Sequence, residues 1–228
     1  MGLRLFASIL LGFFLSTASL AAGPVYDVVF DVDWSLFYPL KAAVNSQSVQ
    51  VGGEFYQPAD QVIETLIQLH QDGHRVSIFS GGKMERNGAL VRYLLTQIRA
   101  RGVRDFSFYK VLNFDDLSLR PGASENARFR ERYMKDLTKI NPDLSRVLLV
   151  EDMKEFSAPG QEKNLYWLGK TYSYSVDFAG ASPTDPYAAP TLQEWRQERN
   201  KIADFYKFFQ KIAGPAICSK VLSVPAAP

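Results

Sequence analysis

Residues 25–35 read Val-Tyr-Asp-Val-Val-Phe-Asp-Val-Asp-Trp-Ser. Val25 to Val32 is a short run of β-branched and aromatic side chains that closes on polar residues, the pattern of a buried strand. Two carboxylates, Asp31 and Asp33, stand at its exit. Both enter one pocket if the second sits where the strand unwinds.

Working outward, the same alternation continues. Residues 36–57 read as irregular, with Gly52–Gly53 as a turn. Pro58 is expected to open a helix that carries Val62, Ile63, Leu66, Ile67 and Leu69 at helical spacing, and Gly73 to end it. Arg75 to Phe79 reads as a second strand, residues 85–100 as a helix, and Phe106 to Leu112 as a third strand. A polar loop spans 113–124 and a charged helix about 125–140, stopped by Asn141–Pro142. Val147 to Val150 is a buried strand, Leu165 to Leu168 a further short one, and about 191–213 a last helix. Strands alternating with helices predict an α/β fold: a three-layer sandwich with an open, mostly parallel central sheet. No segment is long enough for a large cap domain. In such sheets a ligand sits beyond the carboxyl ends of the strands.

Those ends carry the chemistry. Asp31 and Asp33 follow the first strand. Ser80 follows the second, with Gly81 and Gly82 leaving backbone amides open to an anion. Glu151 and Asp152 follow the late strand, and Lys135 lies on the helix feeding it. Acid, hydroxyl with amides, and cation together suit phosphoryl transfer. One carboxylate can serve as a nucleophile and a second as acid and base, leftover acids favour a hard cation such as magnesium, and lysine can neutralise phosphoryl oxygens. Each piece has a plainer reading: acid pairs as loop solvation, Ser80 as a turn residue, Lys135 as a solvated helix residue. Their order and spacing favour the joint one.

FDVDWSL (30–36), IFSGG (78–82), YMKDL (133–137) and VLLVED (147–152), in that order, resemble motifs one to four of the haloacid dehalogenase superfamily. YMKDLTKINPDLSRVLLVEDMKEF (133–156) resembles more narrowly the FCP/SCP-type branch, the phosphatases of the RNA polymerase C-terminal domain and their relatives. The later EKN ending at Asn164 is faintly similar to that branch. The resemblance implies a HAD-like Rossmannoid fold, a magnesium ion, and Asp31 as nucleophile and metal ligand. It implies Asp33 as general acid/base with its carbonyl on the metal, and Ser80 with Gly81 as phosphoryl binders. Lys135 would stabilise charge, Asp152 would be a metal ligand, and Glu151 would act through a water. Ser35 stands where Thr is commoner. Glu-Asp replaces the usual Asp-Asn or Asp-Asp, which leaves open which acid touches the metal.

Composition sets the outer bounds. The 228 residues include 26 Lys plus Arg against 24 Asp plus Glu, a near balance that gives no sign of nucleic acid as a partner. One cysteine, Cys218, excludes an internal disulfide framework and cysteine-pair zinc sites. Residues 1–22, with Arg4, an apolar run from Leu5 to Leu15, and small residues to Ala22, have the layout of a cleaved export signal. The run is shorter than the roughly 20 residues a membrane-spanning helix needs, so no stable membrane anchor is expected. The chain therefore reads as a signal over 1–22, a phosphatase domain over 23–214 and an irregular tail over 215–228. Its expected location is the periplasm or the medium.

The expected substrate is a phosphomonoester displayed on a protein, phosphotyrosine or phosphoserine/threonine, because an uncapped site admits a large body. Trp34, Phe37 and Tyr38 are candidate stacking contacts for it, with core or flap packing as the alternative. Arg128, Arg130 and Arg132 alternate with acids and read as a solvated face. His70 and His74 read as structural. Two other readings stay open: an acid phosphatase for small esters such as nucleotides or sugars, and a non-catalytic binding protein of the same fold. Oligomeric state is not legible.

Overall fold

The computed structural model describes residues 24–179 and 184–214. The expected export signal over 1–22, the expected irregular tail over 215–228 and Cys218 lie outside the described residues.

Strand β1 (Asp27–Phe30) is buried along its whole length. A three-stranded antiparallel sheet follows, β2 (Phe37–Leu40), β3 (Val49–Val51) and β4 (Glu54–Pro58), in the order β2-β4-β3. Then come α1 (Val62–Gln71), β5 (Arg75–Phe79), α2 (Met84–Ala100) and β6 (Val111–Leu112). The short β7 (Ser118–Leu119), α3 (Phe129–Arg132) and β8 (Tyr133–Met134) precede β9 (Val147–Glu151), β10 (Leu165–Trp167) and α4 (Leu192–Ala213).

The central sheet has the order β10-β9-β1-β5-β6, and every pairing in it is parallel. This is the expected α/β architecture. Alternate residues of β1 explain the two cores. Val28 and Phe30 face a large cluster with Leu66 and Leu69 of α1, Leu90 and Leu94 of α2, and Phe205 and Phe209 of α4. Val29 faces the opposite side, where Leu149 and Phe79 pack against Leu117, Leu137 and Ile140. Three helices cover one face, while the other is covered by turns and the β7–β8 ribbon. Among the described residues no helix is long and apolar enough to cross a membrane.

Four sequence expectations need correction. Residues 36–57 are not irregular: their aromatics pair across the three-stranded sheet, Tyr38 opposite Gln57 and Pro39 opposite Tyr56. Pro58 ends β4 rather than opening a helix, and α1 begins at Val62. Only Val111 and Leu112 of the expected third strand pair with β5. The charged helix over 125–140 is absent. One helical turn at Phe129–Arg132 gives way to β8, because Ser118 and Leu119 capture Met134 and Tyr133 as cross-strand partners.

Candidate active site

Register brings the motif residues to one level. Phe30 pairs with Ile78 on one side and Val150 on the other, so β1, β5 and β9 end together. The Asp31 backbone N–H donates to the Val150 carbonyl at 3.0 Å, which fixes the nucleophile candidate against β9. The chain then turns sharply: the N–H groups of Leu36 and Phe37 both donate to the Val32 carbonyl, and Trp34 takes a left-handed φ of 58°. A bulky residue in that region is uncommon and persists only where its surroundings hold it.

Part of that hold comes from α4. The Lys201 ammonium donates to the Trp34 carbonyl and, at 2.5 Å, to Glu198 Oε1. Both side chains are buried, and the Tyr38 hydroxyl donates to the same Glu198 oxygen at 2.9 Å. Burial pulls the Lys201 pKa down, with Glu198 and then Asp152 opposing. Sequence reading missed this pair. Its signal is a Glu and a Lys lying on the same helical stripe as Ile202, Phe205 and Phe209.

Lys135 is the largest departure in detail. It is not a solvated helix residue but 1% exposed, with its backbone N–H donating to the Phe156 carbonyl at 2.8 Å. Its Nζ lies 2.5 Å from both Asp31 Oδ1 and Glu151 Oε2. Burial works against the ammonium charge, but the two carboxylates outweigh it and its pKa is raised. Glu151 is fully buried. Desolvation pushes its pKa well up, against the pull of Lys135, and Oε1 also accepts from the Met153 N–H at 3.2 Å.

Asp31, Glu151 and Asp152 each offer a carboxylate oxygen, all within 4.8 Å of one another. Burial first, and then Asp31, push Asp152 up to about 6. Three acids around one buried lysine leave negative charge in excess. A hard divalent cation relieves that excess, and the oxygen donor set fits one.

Ser80 is buried, with its N–H donating to the Leu112 carbonyl at 3.0 Å. Its Oγ accepts from the Gly82 N–H at 3.2 Å. Asn87 Nδ2 ties the turn down by donating to the Gly82 carbonyl and to Asn113 Oδ1. A Cβ at Gly81 would meet the Phe129 ring at 3.0 Å. Asp33 forms a two-pronged ion pair with Arg86, Nη1 to Oδ1 at 3.0 Å and Nη2 to Oδ2 at 2.6 Å. Its pKa is nevertheless raised, by burial first and Asp31 second, with Arg86 opposing. Arg86 was also missed in the sequence, although a cation in the first turn of the helix after Ser80 is a readable signal.

The aromatic substrate contacts need correction. Phe37 and Tyr38 are fully buried, Phe37 against Tyr93 and Tyr38 on Glu198, so neither is free to stack on a substrate. Trp34 is half-buried and packs edge-on against Tyr38 at 6.2 Å. Arg128 is exposed, as expected. His70 and His74 pack on Phe106 and Phe209, within the fold. Asn164 is also structural: its Nδ2 donates to the Leu144 and Val147 carbonyls.

No protein-family model and no curated protein matches the chain. Among solved structures, the chain is similar to the fission yeast RNA polymerase II CTD phosphatase Fcp1 bound to beryllium fluoride. Identity is 14% and the TM-score 0.40, over 83% of this chain and 52% of that one. It is likewise similar to a structure of Fcp1 described as an essential RNA polymerase II CTD phosphatase, at 15% identity and a TM-score of 0.41, over 82% and 53%. The chain thus spans about half the length of the solved structures it matches.

Proposed function

We propose that the chain is an exported, magnesium-dependent phosphatase of the haloacid dehalogenase type that hydrolyses phosphomonoesters through an aspartyl-phosphate. The observation that carries this reading is the convergence of Asp31, Lys135, Glu151 and Asp152 at the end of β1. Asp31 is presented at a strand end, with a lysine already neutralising one of its oxygens.

Asp31, Asp152 and the Asp33 carbonyl would hold the cation, whose charge lets an anionic carboxylate approach an anionic phosphate. Glu151 is committed to Lys135 and the Met153 N–H, which favours Asp152 as the direct ligand. Asp31 attacks phosphorus as the ester P–O bond breaks, and the leaving oxygen takes a proton from Asp33. Water then attacks the aspartyl-phosphate, Asp33 recovers a proton, and inorganic phosphate departs. Lys135 and the Ser80 hydroxyl neutralise charge on the phosphoryl oxygens.

The small three-stranded sheet over residues 37–58 is the whole of the insertion after β1. Such an uncapped edge suits a phosphate carried on a protein side chain. The test compares turnover of phosphotyrosine peptide, phosphoserine peptide and nucleotide monophosphates, with magnesium and after chelation. Magnesium-stimulated preference for a peptide supports the reading. Preference for nucleotides transfers it to small esters, and no turnover of any ester refutes it.

A further inference from the structure

Arg86 takes no part in the reaction written above, yet it occupies the centre of the site. Its fork rests on both oxygens of Asp33, and Nη2 also lies 3.4 Å from Ser80 Oγ and 2.9 Å from Asn87 Oδ1. The guanidinium therefore bridges the acid/base candidate and the phosphoryl-binding hydroxyl.

The backbone beside it is cut to fit. A Cβ on Gly82 would fall 1.8 Å from Nη2 and 2.5 Å from Asn87 Oδ1. The Tyr56 ring of β4 has its centre 5.8 Å from the guanidinium carbon, so the inserted sheet also faces this group. An ion pair with Asp33 is an incomplete reason for the same Nη2 to lie beside Ser80 Oγ.

Charge counting supplies a better one. Lys135 is already shared between two carboxylates, Asp31 and Glu151. A phosphomonoester dianion entering between Asp31 and Ser80 brings two further negative charges. A guanidinium fork matches two phosphoryl oxygens as well as it matches two carboxylate oxygens. Nη2 lies 3.4 Å from Ser80 Oγ, so a phosphoryl oxygen bonded to that hydroxyl would come within reach of the fork.

We propose that Arg86 is a phosphate-binding residue, held on Asp33 in the ligand-free chain and turned onto the phosphoryl oxygens beside Ser80 when a phosphomonoester dianion binds. The proposal rests on the phosphatase reading for its kinetic half alone. Binding of inorganic phosphate tests it without turnover.

Two measurements are made with magnesium on the wild type, R86K and R86Q: calorimetric binding of inorganic phosphate, and KM and kcat for an aryl phosphate. Expected for R86Q is a loss of phosphate affinity of about 10-fold or more, a similar rise in KM, and partial recovery in R86K, which keeps charge without the fork. Phosphate affinity unchanged in both variants overturns the proposal, as does a fall in kcat alone, which makes Arg86 only a positioning partner of Asp33. If the wild type binds phosphate through Arg86 but turns nothing over, the activity reading fails and this one stands. If the wild type binds no phosphate, the proposal falls. Should R86Q not fold, R86K carries the test, with weaker phosphate binding expected and unchanged binding contradicting it.

Discussion

The Lys135 ammonium sits 2.5 Å from Glu151 Oε2, and both side chains are sealed from solvent beneath Asp31. A buried pair of this kind is costly to break because the surviving charge keeps no partner. Lys135→Met leaves two carboxylates facing each other. Expected is a stability loss of about 3–5 kcal/mol in urea titrations together with loss of turnover. Added magnesium should restore more stability to K135M than it adds to the wild type.

The Glu198–Lys201 pair predicts a non-additive result. Lys201→Met strands Glu198 and frees the Trp34 carbonyl, at an expected cost of about 3–5 kcal/mol. The double variant E198Q/K201M removes both charges and should be more stable than K201M alone. Denaturant unfolding of the three proteins checks this. Turnover should fall in K201M, because the carbonyl lies one residue past Asp33.

Gly82→Ala should act on Arg86 rather than on the core. The added methyl group displaces the guanidinium or the turn, with an expected cost of about 1–3 kcal/mol and a raised KM for aryl phosphate. G82A in the R86Q background should raise KM by less than it does in the wild type. Steady-state kinetics of the single and double variants decide it.

His74 gives the stability a pH slope. Its Nδ1 accepts from the Tyr26 N–H at 3.3 Å, an arrangement that needs the neutral ring. Burial holds its pKa below the ordinary 6.5, with Asp72 opposing. The unfolded chain therefore takes up the proton first. Stability should be fully present above pH 6.5 and decline as pH falls from there toward the lower folded value. H74N should show less of this decline in melting temperatures measured from pH 7.5 to about 5.

Much of this was legible in the sequence. β1, β5 and β9 are short apolar runs because both faces of each are covered, and that signal survives without context. Their shared register sets Asp31, Ser80, Glu151 and Asp152 at one end of the sheet. What failed was decided by distant partners. Lys135 reads as a helix residue among charged neighbours, yet Phe156 captures its N–H and two carboxylates draw its ammonium inside. Tyr38 reads either as a stacking contact or as packing, and its buried bond to Glu198, far along the chain, decides for packing. Arg86 was passed over because its meaning depends on Gly82, whose missing side chain makes the room.

The proposed mechanism turns on Asp31 as the nucleophile. The most direct test is aryl phosphate turnover with magnesium by the wild type and D31N, with the wild type quenched during turnover and its Asp31 peptide weighed by mass spectrometry. Replacing a covalent nucleophile removes the low-barrier route entirely. The account predicts a phosphoryl group on the Asp31 peptide of the wild type and turnover in D31N reduced by about 1,000-fold or more. Undiminished turnover by D31N, or phosphate trapped on another residue, would contradict it.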